Sequence, residues 1–447
     1  MQVVDQILKL PARFIDVTVQ SSETTTITVK DGVAKDLSSG EVFGIGVRVL
    51  DKTWGFASSN SMDQIYEMAE RAFMIAKSGD EKIKFSDLGG IKEKVVVKPK
   101  IDPADVGIEE KRNRIKEVEG EVKGFKEVVS TSFSYLDSKI KTQYFTSEGT
   151  EIESESSKVA LFSAVFAKKD GKVQFGSERL GGTGGLEAIA DSKSSAKRAA
   201  EKAIRLLTAA EPPGGDFDVV LDPYLAGVFI HEALGHATEA DHILQDESIL
   251  KGKLGKGIAS NLVTVYDDST LEGSFGFYSY DSEGVKGEKT TLIEEGVLKS
   301  YIHSRETSSR LGQRDTGNAR AQSFGHQPIV RMSNTYIKPG DYDFEELFEG
   351  IKNGVYLKGS KGGEVDTARG VFQFSAEEGF LIENGKITRP IKDVALSGET
   401  LEILKKISSL GKDFKLSIGF CGKAGQAVPV GDGGPHIRTF ATVGGTG

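Results

Sequence analysis

Cysteine is almost missing from this 447-residue chain: Cys421 is its only thiol. No intrachain disulfide can therefore staple the fold, and a reducing, cytoplasmic setting is the simplest expectation. If that thiol has a task, it is chemical or metal-binding. Long apolar runs are missing as well. No stretch approaches the roughly 20 residues needed to cross a bilayer, and Met1 to Leu10 alternates apolar with charged residues, unlike the basic start and apolar core of a secretory signal. No membrane partner is expected. Basic excess is the third absence: the net charge is -9 and no Lys/Arg cluster stands out. That argues against a nucleic-acid binder, because phosphate contacts draw on clustered cations. No repeat of fixed period is visible either, which sets aside solenoids and propellers.

What is present is an ordinary globular mixture, 38% hydrophobic and 28% charged, in a chain too long for one typical core, so two or three domains are expected. The first part reads as strands. Phe14 to Gln20, Thr24 to Lys30 and Val42 to Leu50 are β-branched or alternating, and Asp31-Gly32 supplies a tight hairpin turn. Ser61 with Gln64 has capping-box spacing, and Ile65, Met68, Ala69, Ala72, Phe73 and Ala76 form the apolar face of a helix that ends by Gly79. Val95 to Val97 is a short strand, Ile108 to Glu119 a charged amphipathic helix, and Val128 to Gly176 several long strands. The run Gly181 to Gly185 breaks the pattern before a long helix with Leu186, Ile189, Ala196, Ala200, Ala203, Ile204 and Leu207 on its apolar face.

Glu211-Pro212-Pro213-Gly214-Gly215 stops that helix and places the main boundary, giving domains 1–210 and 211–447. Beyond it, Phe217 to Leu221 is a buried strand, and Asp222 or Pro223 opens a helix running toward His231. Asn384-Gly385 marks a hairpin, and Leu401 to Leu410 a short helix. The class is α+β: an N-terminal α+β domain whose sheet is covered by helices, and a β-rich C-terminal domain carrying the histidine helix.

Chemistry concentrates in Phe229 to His242, where three of the six histidines stand within twelve residues beside Glu232, Glu239 and Asp241. Zinc takes imidazole, thiolate and carboxylate, and a hydrolytic site leaves one position for water, so His-Glu followed by a second His on an apolar helix suits it. The Glu beside the first His can take a proton from that water. His231 and His236 are five residues apart, which on an ideal helix separates the rings by about 140°. A bulge or break is therefore required; one π-bulge would bring them to a common face, and Gly235, the weakest helix former present, could ease it. On spacing alone, two ordinary partly buried histidines remain the alternative. Cys421 lies between glycines, open to a metal or simply a small buried hydrophobe. Glu239, Asp241 and His242 could be ligands, acceptors for an imidazole N–H, or a solvated edge.

These residues carry a resemblance. The chain resembles the TldD/PmbA metallopeptidases, in particular their TldD-type catalytic subunit, over nearly its whole length. The resemblance rests on His231-Glu232-Ala233-Leu234-Gly235-His236 with Glu239 and Asp241, on Ser304 to Thr307, Gly317 to Arg320 and Arg331 to Tyr336, and on Gly362 to Asp366, Leu381 to Gly385, and Cys421-Gly422-Lys423 through Pro429-Val430-Gly431 to Thr442–Thr446. It implies a zinc peptidase of HExxxH type, with His231, His236 and Cys421 as metal ligands and Glu232 as catalytic acid/base. It also implies a sheltered site for unfolded peptides and assembly as a homodimer, or as a heterodimer with a PmbA/TldE-like subunit. Glu239, Asp241, His326 and Arg331 are further candidates for supporting the ligands or touching substrate, and Arg331, His326 and Tyr336 for stabilising an oxyanion. The rival reading is a non-catalytic peptide-binding subunit with a structural metal; Glu232 speaks against it, since a closed structural site needs no general base.

Overall fold

Asp31 and Gly32 both take positive φ, 52° and 78°, the left-handed pair a two-residue hairpin of this kind requires. In the computed structural model, which describes residues 2–79 and 83–445, this turn joins two strands longer than the sequence suggests. Phe14 to Gln20 and Thr24 to Lys30 merge into one strand, β1 (Phe14–Lys30), and its partner β2 spans Val33–Leu50. With β3 (Trp54–Ser59), β4 (Lys92–Val96), β5 (Val128–Thr146), β6 (Glu151–Lys169) and β7 (Lys172–Thr183) they form one sheet in the order β3-β2-β1-β5-β6-β4. β7 pairs with β6 from Lys158 to Lys169, beyond the stretch of β6 that β4 occupies. Among the described residues no strand joins the other edge of β7.

Two helical layers cover this sheet. Ile65, Ala69, Ala72, Phe73 and Ala76 of the Ile65–Lys77 helix pack on Ile15, Val17, Ile45, Val47 and Val49. Ile115 and Val118 from one helix and Ala196, Ala199 and Ala200 from another pack on Val29, Phe133, Val159 and Leu161. Each fully buried aliphatic or aromatic side chain contributes about 1.5–3 kcal/mol. Three local expectations differ from the structure. The Ser61–Gln64 box does not form: the helix starts at Ile65 with Gln64 as an N-cap that makes no side-chain bond. The Gly181–Gly185 run does not break the strand at its start. Gly181 and Gly182 continue β7 because a Cβ there would meet the Val159 carbonyl at 2.4 Å and the Gly273 carbonyl at 2.3 Å. The long helix after it is split into a 3₁₀ turn, Leu186–Ile189, and a helix, Ser192–Leu206.

In the second half, Gly215–Leu221 runs parallel to Asn353–Lys358 and antiparallel to Ile437–Gly445 inside a nine-stranded sheet. A six-stranded sheet places Asn334–Ile337 between Val265–Asp268 and Gln426–Gly434, with Lys415–Lys423 at its edge. The Asn384-Gly385 hairpin is present, with φ of 50° and 76°. The helix expected over Leu401 to Leu410 is shorter, Thr400–Lys405. Among the described residues no helix is long and apolar enough to cross a membrane. The fold is α+β and mostly sheet. Thr446, the last residue of the C-terminal block quoted above, lies outside the described residues.

The histidine helix begins at Pro223, capped by Asp222, whose carboxylate accepts the Leu225 N–H at 2.9 Å. Leu225, Ala226, Phe229 and Ile230 share a buried cluster with Val355, Leu357, Phe372 and Phe374 of one sheet and Ile337, Val428 and Val430 of the other. Gly227 passes so close to Gly433 that a Cβ would lie 2.5 Å from its nitrogen. The helix is thereby locked between the two sheets. The two halves of the chain are tied by Arg48, which bonds Asp16 at 2.9 Å within its own sheet and Glu283 of the second half at 2.8 Å. A small cluster of Ala160, Phe275 and Ile418 holds β6 against the Lys415–Lys423 strand.

Candidate metal centre

The helix that starts at Pro223 changes its winding at the motif. Ile230–Gly235 is π-helical, and the His236 N–H bonds the His231 carbonyl five residues back, the i+5 pattern of a π-bulge. The extra residue per turn brings the two rings to one side, with centroids 5.3 Å apart and planes at 86°. Gly235 is itself ordinarily right-handed, φ -53° and ψ -54°. Its necessity lies outside the helix: a Cβ would stand 2.0 Å from the Met332 sulfur.

Cys421 reaches the same place from the Lys415–Lys423 strand, opposite Val428. Its sulfur is 3.4 Å from His236 Nε2, and one donor atom each from His231, His236 and Cys421 lies within 4.8 Å of the others. Burial works against the thiolate, but hydrogen bonds and charge from His231 and His236 bring the thiol down to about 4. The same exchange raises His236 well above an ordinary histidine, where burial is outweighed by Glu239 and Cys421. His231 Nδ1 is buried with no hydrogen-bond partner, a costly arrangement for an imidazole unless something else occupies it. Two imidazoles and one thiolate are three protein ligands of the types zinc prefers, and Glu232 stands beside them with its side chain 37% exposed. The residues present fit a catalytic zinc with an accessible side.

Behind the three donors is a charged support. Glu239 is fully buried; its Oε2 lies 3.0 Å from His236 Nδ1 and accepts from Lys423 Nζ at 2.9 Å. Lys423 also donates to Asp241 at 2.7 and 2.8 Å. Burial raises the Glu239 carboxyl, but His236, His242 and Lys423 hold it well below the usual carboxylate range. Glu239, Asp241 and His242 could together surround a cation, and Lys423 already supplies one. Arg331, fully buried, donates to the Cys421 carbonyl and, at 3.3 Å, to that of Gln426. It pins the strand that carries the thiol and does not face the donors' open side. Tyr336 donates its hydroxyl to Asp268 at 3.4 Å within the six-stranded sheet. His326 is elsewhere, lining a separate cavity of about 140 Å³ with Asp16, Arg48 and Tyr144 and bonded to Ser323 Oγ at 3.0 Å.

A cavity of about 420 Å³ opens onto His231 and Glu232. Its other walls include Tyr224 and Val228 of the helix, Gly419 and Phe420 beside the thiol, Asp432, and Phe175, Ser177 and Arg179 of β7. Asp432 is buried, which pushes its carboxyl up to about 6 against the opposing influence of His231 and Arg179. Sequence reasoning missed Lys423, Asp432 and Arg179. Lys423 had a signal, since residues i and i+2 of a strand share a face, so a basic residue two beyond the thiol was bound to point the same way. Asp432 and Arg179 had none, being brought in by sheet topology.

Known proteins similar to this chain span nearly its whole length. Three family models match in order: PmbA/TldA metallopeptidase domain 1 over residues 15–76, the central domain over 101–207 and the C-terminal domain over 214–445. A metalloprotease of Methanothermobacter thermautotrophicus is 49% identical over 97% of this chain and 96% of its own. A protein of Saccharolobus solfataricus named zinc metalloprotease TldD homolog is 34% identical over 96% of each chain. In fold, the crystal structure of TldE from Thermococcus kodakarensis is similar, with a TM-score of 0.80 and 19% identity over 99% of this chain and 98% of that one. The chain belongs to the TldD/PmbA family of metallopeptidases.

Proposed function

We propose that this protein is a zinc-dependent peptidase that hydrolyses unfolded or flexible peptides, with His231, His236 and Cys421 as ligands and Glu232 as the proton-transfer group. The observation that carries this reading is the convergence of those three donors within 4.8 Å, beside a half-open carboxylate at the edge of a cavity. Zinc held there would supply Lewis acidity, polarising a peptide carbonyl and easing deprotonation of water. Glu232 takes the proton from the attacking water and returns it to the leaving amine nitrogen. Glu239 fixes the orientation of His236, Lys423 keeps Glu239 charged, and Arg331 fixes the backbone of Cys421.

Recession of the donors supports the choice of substrate. His231 and Cys421 are 4% exposed, so a peptide must enter the cavity to reach them, and a compact folded domain cannot. Glu232→Gln is the discriminating variant, because it leaves every metal ligand in place. It should retain zinc while cleavage of a reduced, carboxymethylated polypeptide falls by about 10²- to 10⁴-fold. Undiminished turnover in the purified variant would remove Glu232 from the reaction.

A further inference from the structure

The catalytic cavity contains a cation that has no ion-pair partner among the described residues. β7 sends Phe175, Ser177 and Arg179, alternate residues of one strand face, into its wall. Arg179 lies with its guanidinium carbon 4.8 Å from the centroid of the Tyr224 ring. Among the described residues it forms no ion pair, and its nitrogens make no side-chain hydrogen bond. The other Lys or Arg of this cavity, Lys361, is 3.2 Å from Asp393. Nearby Lys202 pairs with Glu377 and Glu178, and Lys358 with Glu378 at 3.2 Å. Asp432 feels the charge of Arg179 without forming an ion pair with it.

A guanidinium set over an aromatic face keeps its N–H edge free, and that edge matches a carboxylate in a bidentate pair. Its position adds to the argument. Ser177, Arg179, Tyr224 and Glu377 line both the catalytic cavity and an adjoining one of about 190 Å³, so Arg179 stands where the two meet. Glu232 and Asp432 share this wall, Glu377 is answered by Lys202 and Lys361 by Asp393, so among the described residues Arg179 is the side-chain cation of the cavity left without an ion-pair partner.

We propose that Arg179 binds a carboxylate of the peptide substrate, either the chain-terminal group or an acidic side chain, and so decides which peptides the catalytic cavity accepts. This rests on the peptidase reading, which the test keeps separate. Three fluorescent peptides of one neutral sequence serve as probes: a C-terminal acid, a C-terminal amide, and an amide with one internal Glu. Binding is measured by anisotropy in the Glu232→Gln protein, alone and combined with Arg179→Met or Arg179→Lys, each first checked for zinc content equal to the parent's.

One or both carboxylate-bearing peptides should bind about tenfold or more tightly than the neutral amide, and which one does so names the source of the carboxylate. Arg179→Met should bring that ratio to about one, and Arg179→Lys should restore part of it, because a lysine keeps the charge and loses the planar fork. No preference in the parent, or a preference that survives Arg179→Met, overturns the proposal. Turnover by the protein with Glu232 intact is followed in parallel. Cleavage without preference sinks the Arg179 inference alone; preference in binding with no cleavage of any peptide sinks the peptidase reading and leaves the carboxylate site standing.

Discussion

Glu239 is a carboxylate with no exposed surface, ionised because His236, Lys423 and His242 stand at 3.0, 2.9 and 3.4 Å from one oxygen. A buried charge so surrounded is expensive to leave half-paired, and it holds the ring of His236, proposed above as a zinc ligand. Glu239→Gln should therefore weaken zinc binding by about 10- to 100-fold without removing a ligand. Chelator competition reads this directly, and an unchanged affinity would reduce Glu239 to a structural acid. At this scale the sequence was informative where donors are neighbours in the chain: His231, Glu232, His236, Glu239 and Asp241 are all on one short stretch. Cys421 is 185 residues from His236, and spacing alone could not connect them; only the family resemblance did. Arg331 and His326, in or beside a block that carries the resemblance, part company: Arg331 supports the strand of the thiol, while His326 lines a different cavity.

At the scale of elements, the histidine spacing demanded a bulge or a break, and Ile230–Gly235 is π-helical. That inference worked because an unbroken α-helix cannot bring i and i+5 together; of the two remedies, a bulge or a break, the chain has the bulge. Gly235 was a harder case. Helix propensity alone would have Gly235→Ala stabilise by about 1 kcal/mol, whereas the Met332 sulfur lies 2.0 Å from the added methyl and is itself fully buried. The clash wins: the substitution should cost about 1–3 kcal/mol, measurable by urea denaturation, and Met332→Ala in the same chain should return part of the loss. A Gly235→Ala protein as stable as its parent would mean the contact is slack. The elements misjudged from sequence share a cause. Gly181 and Gly182 look like a break, but a Cβ would meet the neighbouring strand β6 at the first and the crossing Gly273 segment at the second, and such approaches leave no trace in the local pattern. Ser61 and Gln64 have the right spacing for a cap, but the chain between them is a turn, and the helix starts later.

For the whole molecule, the site is a meeting of segments that the topology gathers. The helix from Pro223 supplies the histidines and Glu232, the edge strand Lys415–Lys423 the thiol and the supporting lysine, and β7 of the first sheet a wall with Arg179. Arg48, bonded to both Asp16 and Glu283, and the Ala160–Phe275–Ile418 contact hold that wall against the metal centre. Alternation and turn residues made the strand-rich character of both halves legible; the way one half completes the cavity of the other was not, because it depends on pairings across the chain. The central claim is that one metal is held jointly by the helix and the distant strand. Zinc content per chain, measured by mass spectrometry of the metal after dialysis of wild-type and Cys421→Ala protein against the same zinc buffer, tests it most directly. About one tightly held zinc is expected per wild-type chain, with its loss from the variant, since two imidazoles fall short of the usual three ligands; Cys421→Ala protein that keeps its zinc in full would overturn the shared site.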